Sequence, residues 1–103
     1  MRTAAYERRH GAGMSEPLQR LIGETVVLDT GTPIVYVGKL IEVGDHTFLL
    51  ESADMHDCRD GHATQEAYIA ELREAGVAVN RRRIVVMRTA VISVSRLDDV
   101  VTD

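Results

Sequence analysis

The chain has a single cysteine, Cys58, no tryptophan, and only one Phe and three Tyr among its 103 residues. A lone cysteine excludes an intramolecular disulfide framework and fits a reducing, cytoplasmic setting. So few aromatics argue against a broad platform for stacking bases. No run approaches the ~18 consecutive apolar residues that a membrane-spanning helix needs, so no membrane partner is expected. Residues 1–13 (MRTAAYERRHGAG) lack the apolar centre of a secretory signal. The net charge of −4 argues against a protein that coats nucleic acid by charge alone. Nothing looks like a nucleophile paired with a base. Ser93 and Ser95 alternate with no histidine near them in sequence, and there is no glycine-rich phosphate loop. An enzyme, a cofactor and a small-molecule substrate are therefore not expected.

What is present is the composition of a soluble globular domain, 45% apolar and 27% charged. A chain this short buries only ~60–65% of its unfolded surface, so oligomerisation would help it. Its charge is uneven. Residues 41–60 carry Glu42, Asp45, Glu51, Asp54, Asp57 and Asp60 against Arg59 alone. Residues 79–96 carry Arg81, Arg82, Arg83, Arg88 and Arg96 and no acid, and Asp98, Asp99 and Asp103 follow. Opposite blocks on one small body suit either a solvated surface or head-to-tail pairing of copies with a local anion site.

Residues 1–14 read as a flexible tail, with Gly11 and Gly13 as breakers. Ser15 to Gly23 predicts a short helix, with Ser15 as N-cap, Pro17 in the first turn and Leu18, Leu21 and Ile22 on one apolar face. Strands are expected at Thr25–Asp29, at Ile34–Val43 with a bend or bulge at Gly38, and at Thr47–Ser52 after the Gly44-Asp45 turn. Ile34 to Val37 is apolar on both faces and calls for cover on both sides. The polar stretch from Asp54 to His62 reads as a loop. Thr64 to Ala75 predicts a second helix capped by Thr64 and Gly76, with Tyr68, Ile69 and Leu72 as its apolar stripe. Strands resume at Arg82–Met87 and, after a break at Arg88-Thr89-Ala90, at Val91–Val94. Both are apolar on two faces and need cover from the helix or from another copy.

The order helix, three strands, insertion, two strands resembles the Sm-like fold. Leu18, Leu21, Ile22 and Gly23 are similar to the L-x-x-L-I-G that opens such domains. Val26-Val27-Leu28, Gly38-Lys39-Leu40 and Phe48-Leu49-Leu50-Glu51 resemble the first Sm motif. Ile84-Val85-Val86-Met87-Arg88 and Val91-Ile92-Ser93-Val94 resemble the second. Another small SH3-like or OB-like barrel is the competing architecture. The resemblance implies a mainly β domain over residues 15–97, a strongly bent five-stranded antiparallel barrel with an N-terminal helix and an inserted helix between strands three and four (insertion 53–80), followed by an acidic tail at 98–103. It also implies a homo-oligomeric ring, in which the fourth strand of one copy pairs with the fifth of the next, and single-stranded RNA bound at the inner rim.

By the same resemblance the RNA pocket lies at two turns. In the first, Asp45, His46 and Thr47 stand where the family carries an Asp, a stacking side chain and an Asn. A turn one residue short puts Thr47 at the Asn position and keeps Phe48, Leu49 and Leu50 in core register. A threonine hydroxyl cannot present the paired donor and acceptor of an amide. In the second turn Arg88 matches the family's basic residue, and Thr89 replaces its glycine. The alternatives are a structural or protein-interaction assembly without RNA, and a metal-binding regulatory domain built on Asp54, His56, Asp57, Cys58, Asp60 and His62. The spacing H-x-C-x(3)-H matches no known finger, so a polar insertion loop without metal is the expectation there. Arg81–Arg83 is expected to grip the acidic tail or the acids of a neighbouring subunit, or to hold phosphates.

Overall fold

Residues 16–60 and 64–101 are described by a computed structural model of the chain. The expected tail at 1–14, the N-cap Ser15, His62 and Asp103 lie outside the described residues. The elements run α1 (Glu16–Arg20), β1 (Thr25–Asp29), β2 (Ile34–Val43), β3 (Thr47–Asp57), α2 (Gln65–Ala75), β4 (Arg81–Met87) and β5 (Ser93–Arg96). The strands form one antiparallel sheet in the order β4-β3-β2-β1-β5. The sheet is mainly a meander, and only β5 reaches back to pair with β1. β4 and β5 are the two edges of this strongly bent sheet, as the expected Sm-like arrangement requires, with no pairing between them among the described residues. Among those residues no helix is long and apolar enough to cross a membrane.

The sheet is bent, and glycine makes the bend possible. Pairing shifts between Val37 and Lys39, where Ser52 and Ala53 of β3 face Gly38 of β2, and again between Leu40 and Glu42. Gly38 is needed for close approach rather than for an unusual φ. A Cβ there would sit 2.7 Å from the Ala53 Cβ and 2.9 Å from its Cα. Across the bulge Ser52 adopts φ 50, the left-handed region that non-glycine residues seldom enter.

Because side chains alternate along a strand, the bend leaves two apolar faces and the chain covers both. On the inner face Val26, Leu28, Leu40, Phe48, Leu50 and Val86 pack together, with Leu18 and Leu21 of the α1 region and Val94 of β5 laid against them. On the outer face Val27, Val35 and Val37 meet Tyr68, Ile69 and Leu72 of α2 and Leu97 beyond β5. Each such side chain contributes roughly 1.5–3 kcal/mol when taken from water. The two-sided cover that Ile34–Val37 calls for is thus supplied within the chain, by the inserted helix.

Three local departures have physical causes. Helix α1 stops at Arg20, so Ile22 leaves the face of Leu18 and Leu21 and is exposed. β3 runs on to Asp57 through residues expected to loop. There Asp54 is buried and accepts a hydrogen bond from the Tyr68 hydroxyl, while His56 stacks on the Tyr68 ring at 4.0 Å and 5°. Asn80 extends the ladder with its side chain, accepting from Met55 N at 3.0 Å and donating to Met55 O at 3.1 Å. β5 begins two residues late, at Ser93, because Val91 closes the turn onto the Arg88 carbonyl (3.1 Å) and Ile92 N bonds Asp29 O (2.8 Å). After β5, Leu97 is buried and Arg73 of α2 donates to the Val100 carbonyl, so residues 97–101 lie against the inserted helix.

Burial first, and then the hydrogen bond to Asp54, pushes the Tyr68 phenol far above its ordinary value of 10.0. The folded state therefore holds this proton more tightly than the unfolded chain does. The resulting stabilisation is present below pH 10 and fades as pH rises beyond it. Tyr68→Phe is expected to lose ~1–3 kcal/mol, because it leaves the buried Asp54 carboxylate without its donor. It is also expected to flatten the fall of stability above pH 10. Urea titrations of parent and variant at neutral and alkaline pH measure both effects.

Candidate functional site

Two turns distant in sequence meet at one end of the sheet. The first is the β2–β3 turn at 44–46, closed by Gly44 N donating to Thr47 O at 2.8 Å. The second is the tight turn Arg88–Ala90 between β4 and β5. Pairing of Thr47 with Met87 across β3 and β4 brings them side by side. Arg88 ties them together. Its backbone N–H donates to the His46 carbonyl at 2.9 Å, and its Nη1 donates to the Gly44 carbonyl at 2.8 Å. The guanidinium carbon lies 5.4 Å from the centre of the Phe48 ring, a cation–π contact of ~0.5–2 kcal/mol. Arg88 is half-buried, a positive charge pinned between two turns.

The five residues expected to form a pocket are placed together by this arrangement. Asp45, His46 and Thr89 are exposed on the two turns, Thr47 is half-buried at the start of β3, and Arg88 lies between. Phe48 and Leu50 point into the inner core, as the short-turn alignment requires, while Leu49 faces outward and is half-buried. A shallow depression of about 300 Å³ opens beside Arg88 and Phe48, walled by Leu18, Leu21 and Val91. The fastening of Arg88 to the Gly44 carbonyl and the α1 wall of this depression have no local signal in the sequence, since both join residues far apart in the chain.

The other flagged residues go elsewhere. Asp54 and His56 are engaged with Tyr68. Asp57 accepts from the Arg59 side chain at 2.9 and 2.6 Å, which holds its carboxyl down at about 2. Burial first, then Asp57, pushes the Cys58 thiol up, and its side chain packs against the outer core. Among the described residues no three His, Cys, Asp or Glu groups gather to hold a metal ion. Arg83 pairs with Glu51, its cross-strand neighbour, at 2.6 Å. Among the described residues the arginine run does not grip the C-terminal acids within one chain. Those acids follow β5, at the opposite edge of the sheet from β4, where Arg96 approaches Asp99 at 4.0 Å and Glu24 at 3.3 Å.

No family model matches the chain, and no curated protein does. Among solved structures it is similar to an Sm protein of Pyrococcus abyssii in complex with a uridine heptamer. The two share 20% sequence identity with a TM-score of 0.54, over 80% of this chain and 99% of that one. The fold of this chain is therefore Sm-like, with a helix inserted between the two halves of the sheet.

Proposed function

We propose that the chain is a ring-forming Sm-like module that binds single-stranded RNA at the rim built by the two turns, and that it is a binding protein rather than an enzyme. The observation that carries this reading is the meeting of 44–47 with 88–90 around the pinned guanidinium of Arg88. A flat, oriented cation beside an apolar depression is chemistry that accepts an unstacked base, by stacking on the guanidinium plane and burying the ring edge. Exposed His46 offers a second flat face, and the Thr47 hydroxyl a single hydrogen bond. The Sm protein of similar fold holds a uridine oligomer, which favours the same ligand class here. Multiplying one weak subsite around a ring gives useful affinity by avidity.

Assembly is supported by the edges. β4 and β5 are the two unpaired borders of the sheet, and Val85, Met87 and Ile92 near them are more than half exposed. An apolar strand edge left in water invites pairing with another chain. In this reading the partner is a sister copy and the setting is cytoplasmic.

Removing the cation tests the RNA site. Arg88→Ala is expected to weaken binding of U-rich and A-rich oligomers by about tenfold or more, equivalent to ~1.4 kcal/mol. Binding should depend only weakly on salt, because one arginine per subunit neutralises few phosphates. Equal affinity of parent and variant, with a steep salt dependence, would move RNA away from these turns. Absence of binding by an assembled parent would leave the protein-interaction module.

A further inference from the structure

The inserted helix creates a feature that the sheet alone lacks. Between α2 and the outer face of β1 and β5 lies a groove of about 560 Å³. Val27, Ala67, Ala70 and Val100 give it apolar walls, and Asp29 and Glu66 stand among its lining residues. At the far edge of the sheet, β4 presents an apolar ridge on the same outer face. Val85 pairs with Leu49 and Met87 with Thr47, all on the side opposite the inner core. Val85 and Met87 are 57% and 54% exposed.

We propose that the groove receives Val85 and Met87 of a second copy, which makes the inserted helix an assembly element that clamps one subunit to the next. The proposal rests on the ring reading above and deepens it. When a β4 edge joins a β5 edge the outer faces of the two sheets become continuous, so the ridge of one copy arrives on the groove side of the other. Antiparallel joining sets Met87 beside Ser93 and the basic start of β4 beside the end of β5. Exposed Arg81 and Arg82 then approach Asp98 and Asp99, which are exposed on the receiving copy. Parallel joining would instead bring Arg81 and Arg82 toward Ser93 and away from Asp98 and Asp99. Charge complementarity thus selects the orientation, and that orientation delivers the ridge to the groove. In this arrangement the arginine run does meet the C-terminal acids, between subunits rather than within one.

Photocrosslinking tests this on the full chain. The photoreactive amino acid p-benzoylphenylalanine replaces Met87, and copies with and without isotope label are mixed so that adducts between subunits can be distinguished by mass. The expected result is an oligomeric parent and intersubunit adducts that include residues 64–70 of the inserted helix, beyond the β5 adducts that strand joining alone would give. Ala67→Arg, an exposed position on the groove wall, should keep the helical circular dichroism of the parent and weaken assembly by about tenfold or more. An oligomeric protein whose Met87 adducts miss residues 64–70 would overturn the role of the inserted helix and leave the ring reading intact. A parent that remains a single chain at its highest soluble concentration would overturn both.

Discussion

Gly38→Val is expected to lower stability by about 3 kcal/mol or more, a large part of the 5–15 kcal/mol that holds a typical domain. The cause is geometric. The new Cβ would lie 2.7 and 2.9 Å from the Cβ and Cα of Ala53 and 3.2 Å from the Glu51 carbonyl oxygen. Two of these three atoms are backbone, so relief requires the strands to part at the bulge that bends the sheet. Gly38→Ala should cost less, and adding Ala53→Gly to it should recover part of the loss, with a coupling of ~0.5–3 kcal/mol between the two sites. Urea titrations of these three variants and of Ala53→Gly alone measure this. An unchanged midpoint for Gly38→Val would mean that the bend does not depend on this contact.

The second large effect is expected in assembly rather than in folding. Val85→Lys combined with Met87→Lys changes two side chains that are more than half exposed in a single chain. The stability of the isolated fold should therefore move by only a few tenths of a kcal/mol. If sister copies cover the exposed half of these side chains, each contact loses ~0.8–1.6 kcal/mol of apolar burial per residue. Subunit affinity should then fall by about one to two powers of ten. Sedimentation of parent and double variant, alongside their denaturation curves, separates the two quantities. A variant that sediments like its parent would show that the ridge lies outside every subunit contact.

These expectations also show which parts of the fold could be read from residues alone. The bounds of β1 and β2 follow from β-branched runs ended by glycine, proline and threonine turns, and Gly38 marks the bulge because nothing larger fits between the strands. Helix α2 follows from its Thr64 cap, whose hydroxyl accepts from Ala67 N at 3.1 Å, and from the spacing of Tyr68, Ile69 and Leu72. The continuation of β3 could not be read in this way. Asp54, His56 and Asp57 favour turns in isolation, and they become strand by pairing with Val37, Val35 and Ile34 of β2, while Tyr68, arriving from a later helix, bonds Asp54 and stacks on His56. Tertiary contact overrides strand propensity there. β5 starts two residues later than the apolar pattern predicts, for the opposite reason. Val91 and Ile92 look like strand, but the turn and the bond to Asp29 use them first. At the site, the residue types in the two turns and their pairing followed from the resemblance. The fastening of Arg88 to Gly44 and Phe48 depends on strand register and had no local signature.

The ring reading turns on whether β4 and β5 find partners in another copy. Native mass spectrometry of the purified full chain is the most direct measurement of that. It should show one closed assembly at an integer multiple of the 11.4 kDa subunit, persistent on dilution, with RNA oligomers adding mass in defined steps. A single 11.4 kDa species at every concentration, folded and without bound RNA, would contradict it.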